Sequence, residues 1–296
     1  MTGGRLLTTR ELAELLRIRE RKVYDLAAAG EVPCTRVTGK LLFPLDAVEA
    51  WLAANRSGPA PDLPARPPVI LGSHDPLLDW AIRESGAELA TRFEGSQPGL
   101  DALAAGEGIA AGLHLHQRDG DVWNLPFIER SLAGEPVVLV EFAWRRRGLI
   151  VPAGGADQKN AEPGPAFLAG KILALRQPGS GSQILLEAWL KTGDVDLADL
   201  GASNLTARSE TDAAMMVLEG RADIAFGLEA AAGQMKLGFI PVLSERFDLV
   251  VDRKAWFDPP FQALWKFLNS AAFRERASAM GGYDISGLGT VHYNAP

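Results

Sequence analysis

Apolar positions in the first thirty residues recur at helical spacing in two short segments. Leu12 and Leu16 fall on one helical face, and Val23 and Leu26 do so in the next segment. The run Thr8-Thr9-Arg10-Glu11 precedes the first segment and fits a capping box, in which threonine and glutamate cap the helix reciprocally. This pattern predicts two short amphipathic helices joined by a tight turn, the arrangement of a helix-turn-helix.

A hairpin pattern and a third helical pattern follow. Two short apolar runs are separated by Thr38-Gly39-Lys40, in which the glycine is typical of a hairpin turn. Pro44 ends the second run, and Asp46 is placed to cap a helix that carries Trp51 on its apolar side. The order helix, helix, hairpin, helix predicts a small α+β winged helix-turn-helix domain over residues 1–56.

Residues 57–68 separate this head from the remainder of the chain. Five of these twelve residues are prolines, so the segment cannot form a helix or a central strand and is interpreted as a Pro-rich linker. From residue 69 onward, short apolar runs alternate with helical patterns, as they do in α/β folds. We therefore predict a multi-domain protein with a larger α/β domain over residues 69–296.

A faint internal repeat favours two similar lobes in the larger domain. Residues 109–113 match residues 224–228 at an offset of 115 residues, each at a passage from helix to strand. Chance similarity is the alternative, because alanine, glycine and leucine are common here. The predicted lobe I comprises about residues 69–146 and 247–296, and lobe II comprises about residues 147–246.

The distribution of charge distinguishes the two parts of the chain. The formal net charge is −7 at pH 7. Residues 1–58 contain 9 Lys/Arg and 7 Asp/Glu, a balance of +2, so the remainder carries −9. A mildly basic head on an acidic body is typical of a nucleic-acid-binding module joined to a domain of another kind.

Small-residue turns precede several predicted helices of the larger domain. Ser73-His74-Asp75-Pro76 follows an apolar run, and its last two residues are typical of an N-cap and a first helical position. Gly179-Ser180-Gly181-Ser182 and Gly95-Ser96 occupy similar positions. Because the free N–H groups of such helix starts bind anions, these turns are candidate ligand contacts.

In the head, residues 7–16, 21–24, 30–33, 43–44 and 50–52 resemble the excisionase-type, MerR-related winged helix-turn-helix family. The resemblance covers roughly residues 6–54. In that family the second helix enters the major groove and the wing touches the DNA backbone, so the resemblance implies a double-stranded DNA operator as partner. The candidate DNA-binding residues on the second helix and the wing are Arg19, Arg21, Lys22, Tyr24, Arg36 and Lys40.

In the body, residues 72–78, 112–115, 123–127, 148–151, 179–182, 220–223 and 281–284 resemble the type II periplasmic-binding-protein fold in its use as a sensor domain. The resemblance extends to the related molybdate- and tungstate-binding proteins. It implies two crossover strands, near residues 141–151 and 245–251. It also implies an oxyanion between the lobes, held by hydroxyl groups and by backbone amides at helix starts.

The candidate ligand-binding residues combine that resemblance with the helix-start argument: Ser73, His74, Asp75, Ser96, His114, Gly179, Ser180, Gly181, Ser182 and Glu229. A protonated His74 would favour an anion, whereas Asp75 would oppose one if it faced the ligand instead of capping its helix. A zwitterionic organic ligand is therefore an alternative to molybdate or tungstate. For His114 a role in the core is the alternative, and for Glu229 an exposed helix cap.

These observations predict a ligand-responsive transcription regulator in the cytoplasm, acting as a homodimer because symmetric operators are usual. No apolar run reaches the length of a membrane span, and residues 1–10 contain no apolar stretch of signal-peptide length, so a cytoplasmic location is expected unless a signal precedes this sequence. No nucleophile elbow or His/carboxylate metal motif is present, so we expect no enzymatic activity, catalytic residue, metal or cofactor. The alternative is an excisionase-like or architectural DNA-binding protein whose body senses nothing. Arg145-Arg146-Arg147 is predicted to be a solvated basic face or an inter-subunit contact.

Overall fold

The computed structural model describes residues 5–37, 39–55, 65–117, 122–154 and 163–295. The chain divides into two compact units, Met1–Ala65 and Arg66–Pro296. Most of the predicted Pro-rich linker, residues 57–64, lies outside the described residues, as does Thr38 of the predicted hairpin turn.

The first unit is a three-stranded antiparallel sheet with three helices. The sheet has the order β1-β3-β2, so β3 pairs with both neighbours. Its elements are β1 (Leu6–Thr8), α1 (Thr9–Leu16), α2 (Glu20–Ala28), β2 (Thr35–Val37), β3 (Lys40–Pro44) and α3 (Leu45–Ala54). The core lies between the helices and β3, where Leu12, Val23, Phe43 and Val48 are fully buried.

The predicted capping box at the start of α1 is confirmed. The Thr8 hydroxyl accepts a hydrogen bond from the Glu11 amide at 3.2 Å, and the Glu11 carboxylate accepts one from the Thr8 amide at 2.8 Å. The third helix begins at Leu45, one residue before the predicted cap Asp46, which therefore lies in the first turn. In the first turn, the negative charge of Asp46 still interacts favourably with the positive end of the helix dipole.

The second unit is built on a ten-stranded sheet with helices packed on it, and its main path has the order β11-β10-β12-β9-β13-β6-β4-β5. The elements of its first half are β4 (Val69–Gly72), α4 (Pro76–Glu84), β5 (Ala90–Phe93), α5 (Ser96–Ala104), β6 (Ala110–Leu113), β7 (His116–Gln117), β8 (Val122–Trp123), α6 (Leu125–Ser131) and β9 (Val137–Val151). The remaining elements are β10 (Ile172–Arg176), α7 (Gly181–Leu190), β11 (Gly201–Ala207), α8 (Glu210–Leu218), β12 (Ile224–Leu228), α9 (Glu229–Gln234), β13 (Gly238–Asp252), α10 (Pro259–Leu268), α11 (Ala271–Met280), β14 (Tyr283–Asp284) and β15 (Val291–Asn294).

Two long antiparallel strands, β9 and β13, run from one end of the sheet region to the other. Each has 15 residues, and their register extends from Gly238 opposite Val151 to Asp252 opposite Val137. β12 pairs with the C-terminal end of β9, and β6 pairs with the C-terminal end of β13. These are the crossover strands that join the two lobes, and both begin earlier than the predicted segments.

The repeated segments occupy equivalent places in the two lobes. β6 contains residues 110–113 and pairs antiparallel with β13, whereas β12 contains residues 224–228 and pairs antiparallel with β9. Each lobe has its own apolar core. Phe142, Phe247, Phe261 and Phe273 contribute to the core of lobe I. The core of lobe II is built around β10, β12, α7 and α8.

A close approach of two backbones holds the start of lobe I together. Gly72 ends β4 with a φ of +96°, and a Cβ at this position would lie 2.3 Å from the carbonyl oxygen of Gly112 on β6. Only glycine allows this conformation and this contact together. The approach places Ser73 beside the end of β6, and the Ser73 amide donates to the Gly112 carbonyl at 2.8 Å.

Candidate functional site

The basic residues predicted on the second helix lie at its exposed start. Arg19 is the N-cap of α2, and Arg21 and Lys22 follow in its first turn. All three are exposed. Tyr24, one turn further on, is 54% exposed, which is high for an aromatic side chain in a small domain. The surface at the start of α2 therefore presents three cationic side chains and one aromatic ring. None of these side chains is buried in the core of the head.

A groove beside the wing brings three of the predicted DNA-binding residues together. Tyr24 of α2, Arg36 of β2 and Lys40 of β3 line it, with Arg10 of α1 as a further cation. Arg36 and Lys40 are both exposed. Arg19, Arg21 and Lys22 lie outside the lining of this groove, so the predicted set divides between the start of α2 and the groove.

A narrow cleft between the two lobes is lined by polar side chains. Lobe I and lobe II contribute the following residues: Ser73, His74, Phe93, Gly95 and His114 from lobe I, and Arg176, Gln177, Ser180, Gly181, Ser182, Arg208 and Glu210 from lobe II. The cavity they enclose has a volume of about 10 Å³. That is about the space one water molecule needs, so the lobes are closed on each other.

The lobe II wall of the cleft is the start of α7. Ser180 is the N-cap, and its hydroxyl accepts from the Gln183 amide at 3.3 Å. Gly181 lies against the His114 ring, since a Cβ at Gly181 would approach His114 Cε1 to 2.4 Å. A glycine is therefore required where the two lobes meet. The first N–H groups of α7 have no partner within the helix, and the residues Ser180, Gly181 and Ser182 at this helix start line the cleft.

Ser96 was predicted to contact the ligand and does not line the cleft. Its buried hydroxyl lies 2.8 Å from the Ser73 hydroxyl and accepts from the His114 amide at 3.1 Å. Ser96 therefore positions Ser73 and His114, which do line the cleft.

Three other predicted ligand residues also lie outside the cleft. Asp75 is fully buried and caps α4, accepting from the Leu78 amide at 2.7 Å, while its second oxygen accepts from other side chains. Glu229 pairs with Arg146 at 2.6 Å. Gly179 has a φ of +79° and forms the turn before Ser180. The structure therefore places Asp75, Glu229 and Gly179 outside the lining of this cleft, and their contact with a ligand stays a prediction.

A chain of buried ion pairs forms the floor of the region between the lobes. The charges of its side chains alternate in sign. The series of ion pairs begins at the start of α4 in lobe I, crosses β9 and β13, and ends at α8 and β10 in lobe II. Its links are Asp75–Arg145 at 2.9 Å, Arg145–Glu245 at 2.5 Å, Glu245–Arg147 at 2.7 Å, Arg147–Glu210 at 3.1 Å and Glu210–Arg176 at 3.0 Å. Tyr283 donates to Asp75 at 2.9 Å, and Ser182 donates to Glu210 at 2.5 Å.

The prediction that residues 145–147 form a solvated face is wrong for two of the three. Arg145 and Arg147 are 1% and 0% exposed, whereas Arg146 is exposed. Alternate residues of a strand face opposite sides, so the first and third arginines point inward together. Each is paired with two carboxylates, which is the condition for burying a charge.

Two carboxylates of this chain of ion pairs, Glu210 and Glu245, are ionised. Burial acts to raise the pKa of Glu210, but Arg147 and Arg176 outweigh it and lower that pKa to about 2. Burial opposes ionisation of Glu245 as well, and Arg145 and Arg147 hold its pKa well below the usual range. Burial also lowers the pKa of His114, despite the nearby Glu245, so its imidazole is neutral at pH 7.

Two polar atoms at the cleft lack a hydrogen-bond partner among the described residues. They are Nδ1 of His74 and Oε1 of Gln177, and both are inaccessible to solvent. Buried polar atoms without partners are uncommon and mark places where a ligand or water completes the bonding. Over the described ranges, no group of three or more His, Cys, Asp and Glu side chains is arranged to hold a metal ion.

Sequence reasoning missed four residues of the lobe II wall: Arg176, Gln177, Arg208 and Glu210. A signal for the first pair existed, because they follow the apolar run that forms β10, and ligands of α/β folds lie at the carboxyl ends of strands. Ser209 followed by Glu210 is also a small-residue helix start of the kind sought elsewhere. The ion pairs of Glu210 with distant arginines had no sequence signal.

Comparisons with known protein families agree with this division of the chain. A helix-turn-helix domain model matches residues 6–56, and a PBP superfamily domain model matches residues 80–269. The protein is thus a fusion of a DNA-binding type of domain, of the excisionase kind, with a two-lobed domain of the binding-protein type. Because the second model covers more than half of the chain, the chain belongs to the PBP superfamily domain family.

One relative with a similar sequence matches almost the whole chain, and another matches about a third of it. The uncharacterised protein YvgK of Bacillus subtilis (strain 168) is 28% identical over 96% of each chain. An uncharacterised protein from the 5′ region of a 2Fe-2S ferredoxin gene of Clostridium pasteurianum is 31% identical, over 36% of this chain and 96% of its own.

Two solved structures show the same fold at low identity. One is described as a phosphate ABC transporter substrate-binding protein with bound phosphate from Clostridium perfringens, with a TM-score of 0.51 and 11% identity over 72% of this chain and 96% of that one. The other is a cysteine-to-serine mutant of OxyR from Corynebacterium glutamicum with hydrogen peroxide bound, with a TM-score of 0.51 and 16% identity over 92% and 90%. In the described part of the chain, no helix is long and apolar enough to cross a membrane.

Proposed function

We propose that this protein is a cytoplasmic transcription regulator that binds operator DNA with its head and a small ligand with its two-lobed domain. The observation that carries the proposal is the presence, in one chain, of a basic groove on a winged helix-turn-helix and a polar cleft between two lobes. A transport protein does not need the basic groove for DNA, and an architectural DNA-binding protein does not need the polar cleft for a ligand.

Ligand binding would regulate the protein through the lobes. The cleft is closed in this structure, so a ligand larger than one water molecule enters only when the lobes separate. A ligand shifts such an equilibrium by its difference in affinity for the open and closed forms. The resulting change in the larger domain would alter the affinity of the head for DNA. A homodimer would place two heads on a symmetric operator.

We infer that the ligand is a small anion. The start of α7, the Ser180 hydroxyl and the exposed guanidinium of Arg208 supply donors for one. A tetrahedral oxyanion such as molybdate or tungstate belongs to this class, and so does a small organic acid, which includes the zwitterionic alternative.

The test is DNA binding by the full-length protein with and without ligand. Fluorescence anisotropy with the fragment upstream of its own gene would measure the affinity, and a thermal-shift screen of oxyanions and organic acids would find ligands. We expect DNA affinity to change at least several-fold when a ligand that raises the melting temperature is added. Unchanged affinity in the presence of every stabilising compound would refute regulation and favour a DNA-binding protein with a passive body.

A further inference from the structure

Two ionised carboxylates, Glu210 and Glu245, lie beside the cleft. They determine which polar groups of the cleft donate hydrogen bonds and which accept them. This inference rests on the proposed function, namely that the cleft holds a small anion. Glu210 accepts hydrogen bonds from Arg147 and Arg176, so its carboxylate has no proton to give. The Ser182 hydroxyl lies 2.5 Å from the same carboxylate. Its single proton is therefore directed to Glu210, and only lone pairs of Ser182 are left for the cleft.

The same reasoning assigns the tautomer of His114. Its Nδ1 lies 3.0 Å from Glu245, which also accepts from Arg145 and Arg147 and is ionised. Nδ1 must then carry the proton. The ring is neutral, since it is buried among guanidinium groups. Its Nε2 consequently bears a lone pair, and no described residue donates a hydrogen bond to it.

Glu210 adds a further acceptor on the same wall. Its Oε1 accepts three hydrogen bonds, from Arg147, Arg176 and Ser182, whereas its Oε2 accepts one, from Arg147 at 3.3 Å. Oε2 therefore keeps acceptor capacity. The His114 ring lies against Gly181, the residue before Ser182, so the acceptors are neighbours across the meeting point of the lobes.

We propose that the cleft selects an anion that carries its own hydrogen-bond donor, an O–H or N–H group, and rejects an anion that has none. The donors of the cleft, at the start of α7, on Ser180 and on Arg208, donate hydrogen bonds to the anionic oxygens. The lone pairs of His114, Ser182 and Glu210 accept hydrogen bonds from the O–H or N–H group of the ligand. Sulfate, molybdate and tungstate are fully deprotonated at neutral pH and would leave these acceptors unpaired. Hydrogen phosphate or a small hydroxy or amino acid satisfies both sets.

The size of the discrimination follows from the cost of unpaired groups. Sites built to bond a ligand hydroxyl reject the analogue without it by factors of roughly 10⁴, because the buried partners lose their bonds. Repulsion between the lone pairs of the cleft acceptors and those of the ligand oxygens adds to that cost. We therefore expect at least about a 100-fold preference for the donor-bearing member of a matched pair.

Titration calorimetry and thermal shift on the full-length protein test this with matched probes. Inorganic phosphate is compared with sulfate, and lactate or alanine with propionate. Binding of phosphate without sulfate assigns a protonated inorganic oxyanion. Binding of lactate or alanine without propionate assigns a hydroxy or amino acid. Either result supports the proposal, and the pair that responds identifies the source of the donor.

Two outcomes would overturn the proposed donor requirement. The first leaves ligand sensing intact, and the second also refutes anion binding in the cleft. Binding of sulfate, molybdate, tungstate or propionate as tight as that of its partner refutes the donor requirement and leaves ligand sensing standing. No binding of any probe by a protein that still binds DNA refutes anion binding in the cleft and this inference with it.

Two serine variants separate acceptor from donor on the same helix start. Ser182→Ala removes an acceptor, so the preference within the responding pair should fall about tenfold. Ser180→Ala removes a donor, so both members should weaken while their ratio stays within about twofold. An unchanged ratio in a folded Ser182→Ala protein, checked by circular dichroism, contradicts the assignment of Ser182.

Discussion

Arg147 on β9 and Glu245 on β13 form a fully buried ion pair, with 2.7 Å between Nη2 and Oε1. The pair lies on the two strands that cross between the lobes, and each member has further partners of opposite charge. Three guanidinium groups and three carboxylates thus balance each other in this buried chain. Any movement of the lobes must keep these charges paired, because an unpaired buried charge is strongly unfavourable.

Removal of one charge from this chain should strongly destabilise the protein. Glu245→Gln keeps the shape of the side chain but leaves Arg145 and Arg147 each short of a partner. We expect a loss of about 3–5 kcal/mol in the free energy of unfolding. Urea denaturation followed by tryptophan fluorescence measures it, because Trp123 and Trp144 lie in the larger domain.

The control is an exposed ion pair of the same chemistry. Arg10 and Glu14 lie 3.0 Å apart on the surface of α1. Glu14→Gln should change the free energy of unfolding by less than about 1 kcal/mol, as surface pairs do. Equal effects of the two substitutions would show that burial does not decide the importance of these pairs.

Acid should destabilise the larger domain through Glu210. Its pKa of about 2 lies below the ordinary value of 4.5, so the folded state binds the proton more weakly than the unfolded state. The stability it contributes is complete above pH 4.5 and is lost as the pH falls toward 2. Thermal melts between pH 6 and pH 2.5 should show a nearly constant contribution from Glu210 down to about pH 4.5 and a falling melting temperature below it.

Glu210→Gln identifies the contribution of this group. The variant should be less stable at pH 7, and its dependence on pH should be shallower by up to about 1.4 kcal/mol per pH unit, the value for one proton. Parallel curves for the variant and the native protein would assign the acid sensitivity to other carboxylates.

The contact between Gly181 and His114 should make the cleft intolerant of one methyl group. Gly181→Ala would place Cβ 2.4 Å from the His114 ring, which is stacked on Phe247 and bonded to Glu245. We expect a loss of about 1–3 kcal/mol in the free energy of unfolding and weaker ligand binding. Chemical denaturation and thermal shift measure the two effects.

A second glycine and a double variant test whether the clash is the cause. Gly164 has a φ of −71° and open space around its Cα, so Gly164→Ala should leave stability unchanged or slightly raised. In a His114→Ala background, the added cost of Gly181→Ala should fall to less than half. Additive costs would place the strain elsewhere.

DNA binding should depend on the cations of the groove in a manner independent of sequence. Lys40→Ala should weaken binding to all duplexes by a similar factor and reduce the dependence of log K on log salt by about 1, as loss of one phosphate contact does. Arg83→Ala, an exposed change on α4 of the other unit, is the control. Identical salt slopes for Lys40→Ala and the native protein would exclude a phosphate contact.

Local patterns sufficed to predict the two domain types and the capped starts of α1, α4 and α7, although not that of α3. The Thr8 and Glu11 capping box and the small-residue turn around Ser180 depend on neighbours within three residues, so the sequence contains all the information they need. The positions of Ser180 and Ser182 in the cleft could be predicted for the same reason. The crossover strands could be placed only roughly, since their ends depend on pairing with strands far along the chain.

Long-range pairing explains what sequence reasoning got wrong. Asp75 was recognised as a cap, but its ion-pair partner Arg145 lies 70 residues away, and both residues lie outside the lining of the cleft. The two inward arginines had a period-two spacing that was visible. Their carboxylate partners, 63 to 100 residues distant, were not. Buried charges are identified by their partners, which a linear pattern does not show.

The order of assembly in lobe I has a consequence for synthesis on the ribosome. β14 and β15 pair with β9, and Phe261 and Phe273 from the last fifty residues complete the core that Phe142 begins. The core of the head, by contrast, is complete within residues 5–55. A nascent chain therefore carries a folded head before the larger domain can complete its core. Until those last strands and helices have been synthesised, the proposed ligand control could not act on any DNA contact made by that head.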